Sequence, residues 1–160
     1  MAEKIKDVQP PKGWARLAWR APIWLYRFGL GSLLGGRFLL LNHIGRKTGQ
    51  MRQTVVEVVQ HDKAQRAYII ASGYGEKADW YKNLMAHPDV TIQVGSKRIA
   101  VHAERLPVAQ ATEILLDYNR HHPATLRTLA GLLGYRTDGS EADVRFLAGL
   151  IPILSLTPHS

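Results

Sequence analysis

Several short segments of the chain alternate hydrophobic and polar positions, a period-two pattern that is typical of β-strands with one buried face. The alternation is strictest over residues 90–94 and 99–103, and the glycine at position 95 between them predicts a hairpin. His102 is out of phase with the apolar positions of its strand, so we expect it to face solvent. Together with other apolar, β-branched segments, the pattern predicts strands at 38–44, 51–60, 66–73, 89–95, 98–105 and 152–157.

Other segments repeat apolar residues every three to four positions, as a helix with one buried face does. Asp79 is expected to cap a helix that Pro88 closes, and Ser140 with Asp143 forms a capping pattern before the last apolar repeat. Pro22 is expected to break the first helix into two pieces. The predicted helices are 12–28, 80–87, 107–122, 123–133 and 140–150.

These elements predict an α+β domain in which five to six mainly antiparallel strands form a barrel or a strongly curled sheet. A turn at 61–65 would join the second strand to the third. We expect the helices after the fifth strand to cover the open side of the sheet. At 160 residues the chain is long enough for one domain with its own core.

The residues best suited to bind a ligand lie in the turn at 45–49, between the first two strands. The turn opens and closes on glycine and contains Arg46, Lys47 and Thr48, with Arg52 just inside the next strand. Charge-assisted hydrogen bonds from three cations would contribute about 5–9 kcal/mol gross to an oxyanion, comparable with a micromolar complex. The turn therefore predicts a phosphate site, and the alternative is an ordinary solvated hairpin tip. Its spacing differs from a Walker loop, which argues against a nucleotide triphosphatase.

A second glycine-rich loop, at 73–79, lies between a strand and the helix that begins near Trp80. Free backbone N–H groups at a helix start attract phosphate groups. The two glycine loops would form one anion site if they met at the same end of the sheet, whereas either one alone would be only a turn.

The positive charge of the chain is concentrated near its start. The formal net charge is +8, and residues 1–52 alone hold ten Lys or Arg against two acidic residues. This asymmetry indicates a local anionic partner, either a membrane surface or a phosphorylated ligand. Residues 12–28 carry arginines on one side and Trp and Leu on the other, so they either lie on an anionic bilayer or pack on the core. Nucleic acid is not expected, because no nucleic-acid-binding motif is present.

The sequence also argues against several kinds of site. Cysteine is absent, which excludes disulfides and thiolate metal ligands and fits a reducing cytoplasm. No signal peptide is readable, so we expect a cytoplasmic protein, with attachment to the inner face of the membrane through residues 12–28 as an addition. No His-Glu-x-x-His pattern occurs, and no metal site is expected.

Three segments, 39–52, 71–88 and 90–103, resemble the deazaflavin-dependent nitroreductase family in order and spacing. Their most specific motifs are Gly-Arg-Lys-Thr-Gly at 45–49 and Trp-Tyr-Lys-Asn-Leu at 80–84. The resemblance implies a split β-barrel over residues 38–160, preceded by a basic helical segment at 1–37. It also implies coenzyme F420, an 8-hydroxy-5-deazaflavin that carries a phosphate and a polyglutamate tail.

The resemblance assigns residues to the cofactor and leaves the proton donor open. The implied cofactor-binding residues are Arg46, Lys47, Thr48, Gly49, Arg52, Ser72, Gly73, Gly75, Lys77, Trp80 and Asn83. The implied reaction is hydride transfer to a small apolar acceptor, which is a quinone, an enone or a nitro compound. Candidate proton donors are Tyr74, Tyr118 and Tyr135, beside solvent. The alternatives are an FMN oxidoreductase of the same fold and a non-catalytic protein that binds a lipophilic or tetrapyrrole ligand.

The prodrug-activating branch of that family has a longer loop before its Trp-Tyr and a cluster of tyrosines near its C terminus. This chain has a shorter loop and only Tyr118 and Tyr135 as counterparts. Nitroimidazole reduction is therefore not favoured over reduction of a quinone or an enone.

Overall fold

Antiparallel strands form a closed barrel in the computed structural model, which describes residues 3–4 and 38–159. The strands are β1 (Glu3–Lys4), β2 (Phe38–Ile44), β3 (Met51–Asp62), β4 (Ala67–Ala71), β5 (Asp89–Val94), β6 (Lys97–Arg105), β7 (Tyr135–Arg136) and β8 (Ile153–Pro158). The barrel strands follow each other around the ring in the order β2-β3-β4-β8-β6-β5, and β5 pairs back to β2. A separate short ladder joins β1 to β7.

The α+β barrel predicted from the sequence is confirmed, with six strands in the ring and every pairing antiparallel. The six predicted strands are present, with ends that differ by at most two residues. The predicted turn at 61–65 begins later than expected, because β3 continues to Asp62 and the carboxylate of Asp62 then accepts hydrogen bonds from the backbone N–H groups of Ala64 and Gln65. The predicted helical segment 12–28, and the boundary between 1–37 and 38–160, lie outside the described residues.

Apolar side chains from all six barrel strands fill the interior. Directly opposed pairs such as Leu39 with Val56 and Ile70 with Leu154 place branched side chains against each other across neighbouring strands. The fully buried Leu84 adds a helix residue to the same core. The period-two pattern of the sequence is therefore the pattern of barrel-facing positions.

The helices that the structure describes are α1 (Asp79–Ala86), α2 (Val108–His121), α3 (Pro123–Leu132) and α4 (Glu141–Ala148). Their positions confirm the predicted helices within these residues. Ser140 caps α4 as expected, since its Oγ accepts a hydrogen bond of 3.2 Å from the backbone N–H of Asp143. Asp79 does not cap α1, because the capping position is Ala78 and Asp79 is the first helical residue.

The last three helices pack outside the barrel rather than over an open side, so that expectation is wrong. Leu115, Leu126 and Leu147, one from each helix, share a second core with Ile69 of β4 and Ile153 of β8. Because β5 pairs with β2 the ring has no open side to cover, and the helices bury the outer face of β4 and β8 instead. Within residues 3–4 and 38–159, no helix combines the length and the apolar character needed to cross a membrane.

Candidate functional site

The turn between β2 and β3 is closed by its own hydrogen bonds. The backbone N–H of Gly49 donates to the carbonyl of Gly45 over 2.8 Å, and the N–H of Gly45 donates to the carbonyl of Gln50 over 2.8 Å. A side chain at Gly45 would place its Cβ 2.7 Å from Thr48 Oγ1, and Gly49 has a φ of +73°. Both ends of the turn therefore require glycine, and the cations between them are held on a tight loop.

Arg46 ties this turn to α1. Its backbone N–H and its Nη1 both donate to Asn83 Oδ1, over 3.1 Å and 2.8 Å, and its Nη2 lies 3.4 Å from Asp79 Oδ1. Asn83 is buried, whereas the Asp79 side chain is 78% exposed. The amide of Asn83 is therefore the stronger link, and the ion pair with Asp79 is largely screened by solvent. These contacts join the first glycine loop to the helix that follows the second one.

Behind Asn83 lies His43, which is 4% exposed. Asn83 Nδ2 is 2.9 Å from His43 Nδ1. The amide oxygen already accepts from Arg46, so Asn83 turns its NH2 group toward the histidine and His43 Nδ1 must accept. Burial, with the positive charge of Arg52, lowers the pKa of His43 to about 4. The imidazole is therefore neutral at physiological pH, with its proton on Nε2.

Lys47 and Arg52 are the exposed cations of the site. Within the described part of the chain, neither side chain makes a hydrogen bond or an ion pair. Lys47 follows the clamped Arg46 directly and Arg52 lies just inside β3, so the turn and the start of β3 present positive charge to solvent. This arrangement suits an anionic ligand group.

The second glycine loop is packed beneath α3. Ser72 is fully buried, and its Oγ donates a 2.6 Å hydrogen bond to the carbonyl of Gly75. A Cβ at Gly73 would lie 3.0 Å from Leu132 Cδ1 and 3.2 Å from Leu129 Cδ2. The loop therefore follows a path set by its own hydrogen bonds and by the leucines above it. Ser72 is used inside the loop rather than exposed to a ligand.

Arg105 of β6 anchors the end of this loop. Its Nη1 donates to Glu76 Oε1 over 2.8 Å and to the hydroxyl of Tyr81 over 2.9 Å, and its guanidinium lies 5.7 Å from the centre of the Tyr81 ring. The hydrogen bonds to Glu76 and Tyr81 outweigh partial burial and raise the pKa of Arg105. Lys77, at the end of the short 3-10 turn Gly75–Lys77, is exposed.

The predicted aromatic residues separate into two groups. Trp80 and Tyr74 are partly buried against the barrel core, and burial raises the pKa of Tyr74. Tyr118 lies on α2, where its hydroxyl donates to Glu57 Oε1 over 2.8 Å. Tyr135 packs in the helical layer, edge-on to Phe146. Of the three candidate proton donors, only Tyr74 belongs to the glycine loop.

Sequence reasoning expected the two glycine loops to meet, and Arg46 does join the first loop to Asp79 at the end of the second, but residues that hold this junction were missed. His43 shares a strand face with Leu39 and Leu41, so the period-two pattern could have shown that it is buried. Its contact with Asn83 spans 40 positions and has no local signal. The contacts of Arg105 with Glu76 and Tyr81 also have no local signal, because in the sequence Arg105 is an ordinary cation at the end of a strand. Asp79 was expected to cap a helix, and its carboxylate instead faces Arg46.

A cavity of about 430 Å³ lies away from these loops, between α2 and α4. Its lining residues are Glu113, Leu116, Asn119, Arg120, Glu141 and Arg145. None of the predicted site residues lines it. Across residues 3–4 and 38–159, no group of three or more His, Asp or Glu side chains is placed to hold a metal ion.

Comparison with known proteins places this chain near deazaflavin-dependent enzymes. The model of a family described as F420H(2)-dependent quinone reductase matches residues 21–130. An F420H(2)-dependent quinone reductase of Mycobacterium tuberculosis is 39% identical over 66 residues, which cover 41% of this chain and 44% of that protein. A second M. tuberculosis protein, described as a putative F420H(2)-dependent quinone reductase, is 35% identical over 79 residues, covering 48% of this chain and 65% of that protein. The chain thus matches between 44% and 65% of the length of these curated relatives.

A solved structure of an F420-H2 dependent reductase superposes with a TM-score of 0.52 and 21% identity, over 75% of this chain and 93% of that one. At this identity the likeness establishes a common fold.

Proposed function

Because the chain belongs to the F420H(2)-dependent quinone reductase family, we propose that it is an F420-dependent oxidoreductase that delivers a hydride to an apolar, electron-poor acceptor. The family match confirms the resemblance drawn from the sequence to deazaflavin-dependent enzymes. The observation that carries the proposal is the turn at 45–49, which is clamped on α1 with its exposed cations outward. A quinone is the first acceptor to test, before an enone or a nitro compound.

The donor set fits the charged part of the coenzyme. F420 carries a phosphate and a polyglutamate tail, and Lys47 and Arg52 offer ammonium and guanidinium donors that the described residues leave without a partner. Arg46 still has N–H groups beyond those that bind Asn83 and Asp79. Lys77, exposed at the end of the second loop, adds another cation on the side that leads into α1. Together these residues would hold the phosphate and the tail.

The remaining residues have distinct tasks in this proposal. When bound, F420 supplies the hydride, and the protein supplies binding, orientation and exclusion of water. Asn83 and Arg46 fix the position of the turn, and Gly73 and Gly75 allow the second loop to pack closely beneath α3. Tyr74 is our preferred proton donor, because of the three candidates it is the one that lies on the glycine loop.

The decisive experiment is a fluorescence titration of the purified protein with F420 and with FMN. FMN has a phosphate but no polyglutamate tail, so we expect tighter binding of F420. Equal affinity would favour an FMN enzyme of the same fold. Absence of F420 binding would remove the proposal, and absence of binding of both cofactors would favour a protein that binds a lipophilic or tetrapyrrole ligand.

A pair of charge reversals tests the role of the turn. We predict that the double variant Lys47→Glu with Arg52→Glu lowers the affinity for F420 at least about 100-fold. It loses two charge-assisted hydrogen bonds, which contribute about 1.5–3 kcal/mol each. The chain offers a matched control in the basic pair Lys97 and Arg98 at the β5–β6 hairpin. Because β5 runs antiparallel to β2, that hairpin lies at the opposite end of the barrel.

The control pair Lys97→Glu with Arg98→Glu changes the net charge by the same amount and should leave the affinity within about threefold of wild type, since charges beyond a Debye length are screened. If both double variants weakened F420 equally, the effect would be one of net charge and the turn would not be the binding site.

A further inference from the structure

We propose that His43 is a positioning residue for the cofactor site: it orients the amide of Asn83, and through that amide it fixes Arg46 and the turn that carries Lys47. The proposal rests on the proposed function, since it assigns a role within the same site. His43 itself is buried in β2 and has no direct path to a ligand. Its effect on a cofactor must therefore pass through Asn83.

The hydrogen bonds permit only one orientation of Asn83. Arg46 offers its backbone N–H and its Nη1, both donors, so the oxygen of the amide must face Arg46. The NH2 group then faces His43 Nδ1 over 2.9 Å, where it needs an acceptor. A rotated amide would set donors against donors on the Arg46 side. The acceptor at His43 thus satisfies the NH2 group in the one orientation in which Asn83 holds Arg46, and so holds the amide in place.

The burial of this chain of contacts makes it sensitive to a single change. Asn83 is 2% exposed and His43 is 4% exposed, so water has little access to an amide that loses its partner. An apolar residue at position 43 would leave a buried NH2 group without an acceptor, which a protein avoids by rearranging. The rearrangement open to Asn83 is a movement of its side chain that takes the NH2 group to another acceptor, and this movement draws the amide oxygen away from Arg46 and frees the turn.

Two substitutions at His43 separate hydrogen bonding from packing. His43→Leu keeps an apolar body of similar size and removes the acceptor. His43→Asn restores an acceptor, because its amide oxygen can take the place of Nδ1 on a side chain that branches at the same carbon. We expect His43→Leu to lower the affinity for F420 about tenfold, the equivalent of one hydrogen bond. His43→Asn should recover most of that affinity.

The probe that distinguishes positioning from general damage is a deazaflavin without phosphate and tail. His43→Leu should leave the affinity for this 8-hydroxy-5-deazaflavin nucleoside unchanged, because the turn would not contact it. A double-mutant cycle completes the test. In an Arg46→Met background, His43→Leu should have no further effect on F420 affinity if it acts through Arg46. Equal losses in both backgrounds, or equal losses for both ligands, would overturn the proposal.

A measurement without cofactor keeps the proposal testable if F420 does not bind. Hydrogen exchange at the Arg46 amide, which donates to Asn83, should be about tenfold faster in His43→Leu than in wild type or His43→Asn, as expected for one weakened hydrogen bond. Unchanged exchange in His43→Leu would refute the positioning role, whereas failure of wild type to bind F420 would refute the proposed function alone.

Nitrogen-15 NMR of the wild-type protein at neutral pH gives a further check that needs no variant to fold. We expect His43 to be unprotonated at Nδ1 and protonated at Nε2, and a proton at Nδ1 would overturn the proposal.

Discussion

A buried neutral histidine links the stability of this barrel to pH. Burial, with the charge of Arg52, lowers the pKa of His43 to about 4, and the negative charge of Asp79 opposes this only in part. Above about pH 6.5 the imidazole is neutral in both the folded and the unfolded chain, so it contributes nothing to the pH dependence there. Between pH 6.5 and pH 4 the unfolded chain binds a proton that the folded chain does not, which favours unfolding.

The first prediction is that His43 removes about 3 kcal/mol from the free energy of unfolding as the pH falls from 6.5 to 4. The measurement is urea denaturation of wild type and of His43→Asn at several pH values in this range. Other groups titrate equally in both proteins, so the difference between the two curves isolates position 43. Parallel curves would show that His43 is not held in the neutral form by the fold.

The ion pair between Arg46 and Asp79 should matter much less. Its atoms are 3.4 Å apart and the Asp79 side chain is 78% exposed, so solvent screens the attraction. We predict that Asp79→Asn lowers the free energy of unfolding by less than about 1 kcal/mol, including the loss of a negative charge at the start of α1. The substitution should not weaken the binding of F420, because it removes a carboxylate that competes for Arg46. A large loss of either stability or affinity would place Asp79 among the essential contacts of the turn.

At the residue scale, sequence reasoning found the side chains that carry their signal locally. Gly45 and Gly49 with the cations between them are adjacent in sequence, and their chemistry can be inferred without knowing the fold. His43 and Asn83 act only because a barrel strand and a helix bring them within 2.9 Å. No local sequence pattern indicates this contact, so the hydrogen bonds that hold Arg46 in place could not be predicted from the sequence.

At the scale of elements, the glycine loop at 73–79 depends on α3. Gly75 has a φ of +71°, and a Cβ there would lie 3.0 Å from Leu133 Cδ2 at the end of the helix. Gly95, in the β5–β6 hairpin, has a φ of +59° and nothing within 4 Å of the same position. The two glycines therefore share a backbone conformation and differ in packing.

We predict that Gly95→Ala costs about 1–2 kcal/mol through backbone strain alone, and that Gly75→Ala costs about 1 kcal/mol more because the leucine must move. Thermal or urea unfolding of the two variants measures the difference. F420 affinity should fall in Gly75→Ala and stay constant in Gly95→Ala, since only the first displaces the loop at the proposed site. Equal costs would mean that Leu133 yields freely and that α3 does not constrain the loop.

The elements themselves were largely predictable and a barrel was one of the predicted arrangements, but the pair of strands that closes it was not predicted. Period-two and helical periods gave the strands and helices of the described residues within one or two positions at most ends. Pairing of β5 with β2 joins strands that are 40 or more positions apart, and the alternation within each strand does not specify its neighbours. The expectation of an open side failed for this reason, and the helices after β6 found their partner on the outer face of β4 and β8.

At the scale of the whole molecule, the positive charge near the start of the chain is larger than one phosphate site accounts for. Residues 1–52 carry the entire excess of +8, and among their ten cations only Arg46 and Lys47 in the turn and Arg52 beside it belong to the proposed phosphate site. Arg16, Arg20 and Arg27 lie within the segment 12–28, which has a helical period. A basic segment with Trp and Leu among its apolar residues is suited to the surface of an anionic bilayer.

The last prediction concerns that segment. We expect the full chain to float with vesicles that contain anionic lipid at low salt and to be released at about 1 M salt, where the Debye length falls to about 3 Å. Arg16→Gln with Arg20→Gln and Arg27→Gln should abolish flotation while leaving F420 affinity unchanged, because these residues lie outside the turn. Lys97→Gln with Arg98→Gln serves as the control for lost charge elsewhere. Flotation that survives high salt would indicate apolar insertion instead, and no flotation at low salt would mean that residues 12–28 do not bind membranes and would favour packing on the core.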